Sequence, residues 1–409
     1  MTVVRRIGYF VPEFPGQTHI FFWRELAALK ARGVEPELIS TRRPPRSLLS
    51  HSWAEAAMAK TVYLTPPSAQ DIVTMVAELA RAAPDGWARC AASIAGTEGL
   101  TAARRLRLAA LAIMGSRLAA VARERGWTHV HAHSCGETAD TALFASLLSG
   151  LPYSLTLHGP LADYGPNQRE KWRHARFAVV ITRKLRSEVT EALSGSLPPF
   201  VEVAPMGVEL ARFTRRAPYE AWSGQGPLRI FSCGRLNPCK GHLDLIRAVG
   251  ILRQRGIDAR LAIAGEDEAG GTAYRRVLSE HIAATGRPDA TVLLGAVSED
   301  RVCDELSRAH VFALASLSEP LGVAIMEAMA MSTPVVVTGA GGVPELVANG
   351  EDGLLVQPER PAEMADAIER VARDPALARR LGAAGRQKVQ AEFHSGKSAE
   401  VLSRRILAT

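Results

Sequence analysis

Cysteine is scarce in this chain of 409 residues, with five in all: Cys90, Cys135, Cys233, Cys239 and Cys303. The number is odd, and no pair has the spacing of a zinc or redox motif, which speaks against a disulfide framework and for a reducing, cytoplasmic setting. Long apolar runs are missing too. No stretch of about 20 apolar residues is free of charge, so no membrane-spanning helix is expected. At the N-terminus, Pro12, Glu13 and Pro15 cut the apolar run short of a signal-peptide core, and Val3–Phe10 reads as a first strand. There is no zinc-finger spacing, no RNA-binding aromatic motif and no long Lys/Arg block, so nucleic acid is not an expected partner. A G-x-G-x-x-G after the first strand, with an acidic residue about 20 further on, is also absent. That weighs against a dinucleotide-dependent oxidoreductase. Acidic residues, finally, are few in the first half. Residues 1–213 hold 25 Lys and Arg against 18 Asp and Glu, whereas residues 214–409 hold 24 against 24.

What remains is a chain with 47% hydrophobic and 22% charged residues, the composition of a globular enzyme. Its length calls for two domains. Short apolar strands alternate with helical segments, a pattern that predicts parallel, doubly wound α/β sheets. Strands are predicted near Val3–Phe10, Glu37–Ser40, His129–His133, Tyr153–Leu157, Phe177–Ile181 and Val201–Val203. Residues 41–67, rich in Pro and Arg, read as irregular. Residues 69–125 read as helices broken near Pro84 and Gly96. A polar stretch over 215–227 interrupts the alternation, which restarts at Leu228–Ser232 and runs through Pro334–Thr338. The expected layout is an N-terminal domain over 1–213, a C-terminal domain over 214–385 and a C-terminal helix over 386–409 that crosses back to the first domain. Ligands of open α/β sheets bind at the carboxyl ends of the strands, so two such domains are expected to face a central cleft.

Three motifs follow strands and would meet at that edge. Gly234-Arg235-Leu236-Asn237-Pro238-Cys239-Lys240-Gly241 places two cations at the entry of a helix, where backbone amides also favour phosphate. Arg can hold phosphate oxygens in a bidentate way, and Lys acts as a point charge. Glu319-Pro320-Leu321-Gly322-Val323-Ala324-Ile325-Met326-Glu327 places two carboxylates eight residues apart across a loop-to-helix junction. Carboxylates accept hydrogen bonds from sugar hydroxyls, and a charge embedded in so apolar a helix as that of Glu327 needs a partner. Gly339, Gly341 and Gly342 allow backbone to approach a ligand closely. Two cations for a diphosphate and two carboxylates for hydroxyl groups describe a nucleotide-sugar site. His158 follows the Tyr153–Leu157 strand on the same edge and is a further site candidate. Gly16 and Gln17, in the loop after the first strand, are weaker candidates for an acceptor or phosphate loop. His129, His131 and His133 alternate on one strand without a carboxylate or cysteine set to complete a metal site, and read as structural. Glu266-Asp267-Glu268 reads as solvated. No metal and no cofactor are expected.

These residues resemble the retaining glycosyltransferases of family 4, and in style the bacterial exopolysaccharide enzymes. The resemblance runs over nearly the whole chain and is strongest from Leu228 to Val356. It implies the GT-B fold, two Rossmann-like domains around a cleft. It also implies a UDP- or GDP-sugar donor, with Arg235 and Lys240 on the diphosphate and Glu327 on the ribose. Glu319 and the backbone around Leu321, Gly322 and Gly342 would meet the transferred sugar, and His158 would lie near it. The acceptor, on the N-terminal domain, would be a growing glycan or a polyprenyl-diphosphate-linked one. Arg104, Arg105, Arg107 and Arg117, on a predicted helix of the basic half, could meet an anionic membrane surface. The chain departs from the family at Ser332, where glycine is common, at Met206, where Asn is common, and in Gly16-Gln17-Thr18. A sugar-nucleotide-binding component without catalysis is the alternative reading.

Overall fold

The computed structural model describes residues 4–16, 20–45, 53–267, 272–285 and 288–408. These form two compact units. One comprises residues up to Pro45, Trp53–Pro205 and the segment from Ser398. The other comprises Met206–Lys397.

The first unit is built on a seven-stranded sheet. Its strands are β1 (Arg5–Glu13), β2 (Val34–Arg42), β3 (Val62–Tyr63), β4 (His129–His133), β5 (Tyr153–Leu157), β6 (Ala178–Val180) and β7 (Val201–Val203). Their order is β3-β2-β1-β4-β5-β6-β7, and every pairing is parallel. The strands read as near-continuous hydrophobic runs because helices cover both faces. Residues 53–67 are more regular than the irregular stretch expected over 41–67: a helix, Ala54–Lys60, leads into β3, which pairs with Ile39 and Ser40. The helical stretch beyond divides into Ala69–Arg81, Pro84–Gly96 and Ala102–Arg125. Ser68 and Asp71 form a reciprocal capping box at the first of these. Pro84 sits in the first turn of the second, where its missing N–H is no loss.

The second unit repeats the plan with six strands. They are β8 (Leu228–Cys233), β9 (Ala259–Ala264), β10 (Thr291–Gly295), β11 (Val311–Leu314), β12 (Val335–Thr338) and β13 (Leu354–Val356). Their order is β10-β9-β8-β11-β12-β13, again all parallel. Both sheets thus have the Rossmann strand order, with a reversal between β1 and β4 in one and between β8 and β11 in the other. Leu245, Leu252, Ile263, Leu278, Val311, Val336 and Ile368 lie in the second unit's core.

The C-terminal segment is two helices, Pro375–Glu392 and Gly396–Leu407. The last one is tied within the first unit. Arg404 and Arg405 pair with Glu202, the Arg405 guanidinium lies 3.7 Å from the Phe200 ring centroid, and Arg5 Nη1 donates to Ile406 O at 3.1 Å.

Candidate active site

The strand-order reversal of the second unit gathers the motifs. Gly234–Gly241 follows β8, and the Glu319 loop follows β11, the two strands that flank the reversal. Backbone hydrogen bonds interlock the loops. Leu317 N donates to Cys239 O at 2.7 Å, and Gly342 N, beyond β12, donates to Glu319 O at 2.9 Å. Two glycines make this approach possible. Gly241 (φ +61°) and Gly341 (φ +64°) are left-handed, and a Cβ on either would overlap the carbonyl oxygen of Ala315 or Glu319.

On this frame Lys240 Nζ is ion-paired with Glu319 Oε2. The two side chains are only 14% and 10% exposed. Ser316 Oγ lies 3.4 Å from the same carboxylate oxygen. Ser316 is itself held through its carbonyl, which accepts from Thr338 Oγ1 at 2.5 Å. Glu327 lies on the helix Val323–Ala330 and is buried despite its charge. Leu321 is buried, and Gly322 (φ +100°) ends the loop before that helix. The Cys233 thiol, at the end of β8, is pushed up to about 12 by burial first and then by the Glu327 charge, with Lys240 acting the other way. Both motifs therefore act electrostatically on one point of the strand end. Arg235 is half-buried, and its carbonyl lies 3.2 Å from His242 Nε2. His242 is fully buried, and burial lowers its pKa to about 4, so a neutral ring backs the loop that carries the cations.

Arg235, Lys240, Glu319, Glu327, Leu321, Gly322 and Gly342 thus belong to the second unit and to loops or helix starts at one sheet edge. His158 and Gly16 belong to the first unit, following β5 and β1. Gly16 is buried. Gln17 lies outside the described residues. His133 Nδ1 is 3.1 Å from His158 Nε2, a contact the sequence did not announce. Ser316 and His242 were also missed. His242 stands two residues after Lys240, and that position was the available signal.

Asp267 differs from the expectation of a solvated acid. It is buried and accepts from the amides of Tyr274 and Arg275, the start of a helix, while Glu266 pairs with Arg275. Glu268 lies outside the described residues. Arg117 is likewise no surface cation: it is buried and pairs with Asp71 at 2.7 Å. Among the described residues no group of three or more His, Cys, Asp or Glu is arranged to hold a metal ion. No helix of the described residues is long and apolar enough to cross a membrane.

The fold defines a class, and comparison with known structures gives the same one. The chain has the GT-B fold of two Rossmann-like units. It superposes on sucrose-phosphate synthase from Thermosynechococcus elongatus with a TM-score of 0.73 and 20% identity, covering 99% of each chain. It superposes on the Anabaena protein HepE, solved in complex with UDP-glucose, with a TM-score of 0.73 and 18% identity over 98% of this chain and 99% of that one. Residues 222–388, within the second unit, match the family model described as "Glycosyl transferases group 1". In sequence the chain is similar to D-inositol 3-phosphate glycosyltransferase of Pseudarthrobacter chlorophenolicus, 32% identical over 235 residues. That match spans 55% of this chain and 55% of the relative's length.

Proposed function

We propose that the chain is a glycosyltransferase that moves a hexose from a nucleoside-diphosphate sugar to a growing glycan, with retention of the anomeric configuration and without a metal ion. The observation that carries this is the buried Lys240–Glu319 pair at the strand-order reversal of a group 1 domain, with Arg235 and Glu327 on the same two motifs. In the reaction the bond from the sugar's anomeric carbon to the diphosphate breaks. A new bond forms to an acceptor hydroxyl, and the hydroxyl proton leaves with a phosphate oxygen. Charge accumulates on the departing diphosphate. Arg235 and Lys240 are the groups to neutralise it, in a role that a divalent ion fills elsewhere. Glu327 binds the ribose. Glu319, with the backbone at Leu321, Gly322 and Gly342, receives the sugar. His158 serves the transferred sugar, and Gly16 and Gln17 serve the acceptor.

The donor is a UDP- or GDP-sugar; the UDP-glucose held by HepE, which shares the fold, favours the former. We assign the acceptor to surface-polysaccharide assembly on a polyprenyl-diphosphate carrier, at the inner face of the cell membrane. Exposed apolar side chains on two helices of the basic unit support such contact: Ile72, Val73 and Val76 on one, Leu106 and Ile113 on the other. Arg104 and Arg105 are exposed beside Leu106.

A thermal-shift screen of UDP- and GDP-sugars tests the donor, since a ligand that favours the folded state raises its melting temperature. NMR of the product's anomeric centre and turnover in EDTA test the reaction. An inverted product, or loss of turnover in EDTA, refutes the mechanism. Donor binding without turnover on any acceptor would favour the non-catalytic alternative.

A further inference from the structure

Beside the edge strand β3 the first unit holds a cavity of about 630 Å3, lined by Arg42, Arg43, Thr61, Tyr63, Thr65 and Pro66. Parallel pairing builds it. Ile39 and Ser40 of β2 stand opposite Val62 and Tyr63 of β3. The ladder runs on past β3, with Leu64 N donating to Ser40 O at 2.9 Å and Thr65 N to Thr41 O at 2.8 Å. Thr61, Tyr63 and Thr65 alternate in sequence, and the period of 2 puts them on one side of the strand. Arg42 and Arg43 stand where β2 leaves the sheet, at the carboxyl edge where open α/β sheets take their ligands. The volume is that of a small-molecule site, roughly 300–1,000 Å3. None of the six residues belongs to the donor motifs, which lie in the second unit.

The lining divides by what it can offer. Arg42 gives its Nε to Glu13 Oε2 at 2.5 Å, one of its five N–H donors, and its side chain is mostly exposed. Arg43 makes no ion pair among the described residues, and its guanidinium carbon lies 4.8 Å from the Tyr63 ring centroid. Stacking occupies the face of a guanidinium and leaves the N–H donors at its edge to a ligand. The hydroxyls are the opposite case. Tyr63 Oη donates to Phe14 O at 3.0 Å, Thr65 Oγ1 to Thr41 O at 2.6 Å and Thr61 Oγ1 to Ala57 O at 2.7 Å. Each has spent its one hydrogen and keeps lone pairs, so toward a ligand it can only accept.

A ligand that satisfies both halves carries acidic oxygens for the arginines and hydroxyl hydrogens for Tyr63 and Thr65. A neutral sugar lacks the first. Inorganic phosphate and the diphosphate of a lipid carrier lack a row of hydroxyls. An acidic sugar has both. Glu13 offsets one of the two cations, which leaves one positive charge for one acidic group.

We propose that this cavity is an acceptor subsite for an anionic sugar residue, a sugar phosphate or a uronic acid, whose acidic group is held by Arg42 and Arg43 and whose hydroxyls donate to Tyr63 and Thr65. Its role in transfer rests on the reading of the chain as a glycosyltransferase; the binding of an acidic sugar does not.

The experiment titrates the full chain by NMR with four probes: glucuronate, glucose 6-phosphate, glucose and inorganic phosphate. At least one of the two acids should bind about 10-fold or more tighter than glucose and inorganic phosphate, and the better of the two tells a carboxylate from a phosphate as the acidic group. Arg42→Gln combined with Arg43→Gln should weaken that acid by about 10-fold or more. Tyr63→Phe, which keeps the ring beneath Arg43, should weaken it about 2–10-fold. Arg235→Gln, in the second unit, should leave it unchanged. Binding of neither acid, binding of glucose or phosphate as tight as that of the acids, or binding indifferent to the two arginine substitutions overturns the proposal. An affinity lost in Arg235→Gln instead places the acid in the donor site and overturns it equally. If UDP-sugars neither bind nor turn over while the acid still binds through Arg42 and Arg43, the acidic-sugar site stands and the transferase reading falls.

Discussion

Lys240→Ala is the perturbation that bears most directly on the site. Lys240 and Glu319 are each mostly buried and paired to one another, so removing the lysine strands a carboxylate whose other close partner among the described residues is the Ser316 hydroxyl at 3.4 Å. Breaking a buried pair in this way costs about 3–5 kcal/mol, and partial exposure puts this case at the lower end, about 3 kcal/mol. For a unit the size of Met206–Lys397 that corresponds to a fall in Tm of about 6–12 °C. Replacing both members with neutral residues, as in Lys240→Met with Glu319→Gln, should recover most of the loss, because neither charge is then left alone. Ligand binding separates from stability. Losing a charged hydrogen bond to the diphosphate costs about 1.5–3 kcal/mol, so free UDP should bind Lys240→Ala about 10–150-fold more weakly. Glu319→Gln should bind UDP equally or more tightly, since the lysine is released from its carboxylate, while kcat falls. Calorimetric titration and thermal melts of the four proteins decide the matter. Normal UDP affinity in Lys240→Ala would remove Lys240 from the donor site. Equal Tm losses in the single and double variants would show that the pair is not the source of the stability.

Further outcomes follow from the same geometry. Glu327→Gln should raise donor KM and weaken free nucleoside diphosphate with little change in kcat; a kcat effect at constant KM would assign Glu327 to the sugar. Ser332 is held at φ +55°, a left-handed backbone that costs a non-glycine residue about 1–2 kcal/mol, so Ser332→Gly should raise Tm by a few degrees despite glycine's larger unfolded entropy, and a lower Tm would refute this. Burial depresses the pKa of His129 to about 3 and of His242 to about 4, below the unfolded value, so the fold favours the neutral rings. That stability is complete above pH about 6.5 and is lost as pH falls toward the folded values, at about 1.4 kcal/mol per ring per pH unit; a Tm unchanged between pH 6.5 and 5 would contradict it. Val73→Asp and Leu106→Asp should reduce cosedimentation with anionic vesicles, and equal sedimentation with neutral and anionic vesicles would count against membrane contact.

The sequence by itself determined what is local. Strand-helix alternation and the restart at Leu228 predict two doubly wound units, because short apolar runs bounded by turn residues differ in length from the helical patterns between them. The motifs at Arg235–Lys240 and Glu319–Glu327 were legible because each lies where a strand ends and a helix begins, a change visible in a few letters. Even the departure at Ser332 was legible, though its left-handed backbone was not. Tertiary structure alone decided whatever depends on a partner far along the chain. The two-residue strand β3 exists only because Ile39 and Ser40 offer it an edge. Asp267 reads as a solvated acid until the helix starting at Ala273 presents its amides. Arg117 reads as a surface cation until Asp71 pairs with it from another helix. Glu25 looks like any glutamate of a surface helix, and it becomes a buried carboxylate facing His133 only when parallel pairing sets β1 beside β4 and the helix closes over them. A residue's own neighbours in sequence fix its backbone preference, but the protonation state and partners of a buried side chain are set by groups a hundred residues away.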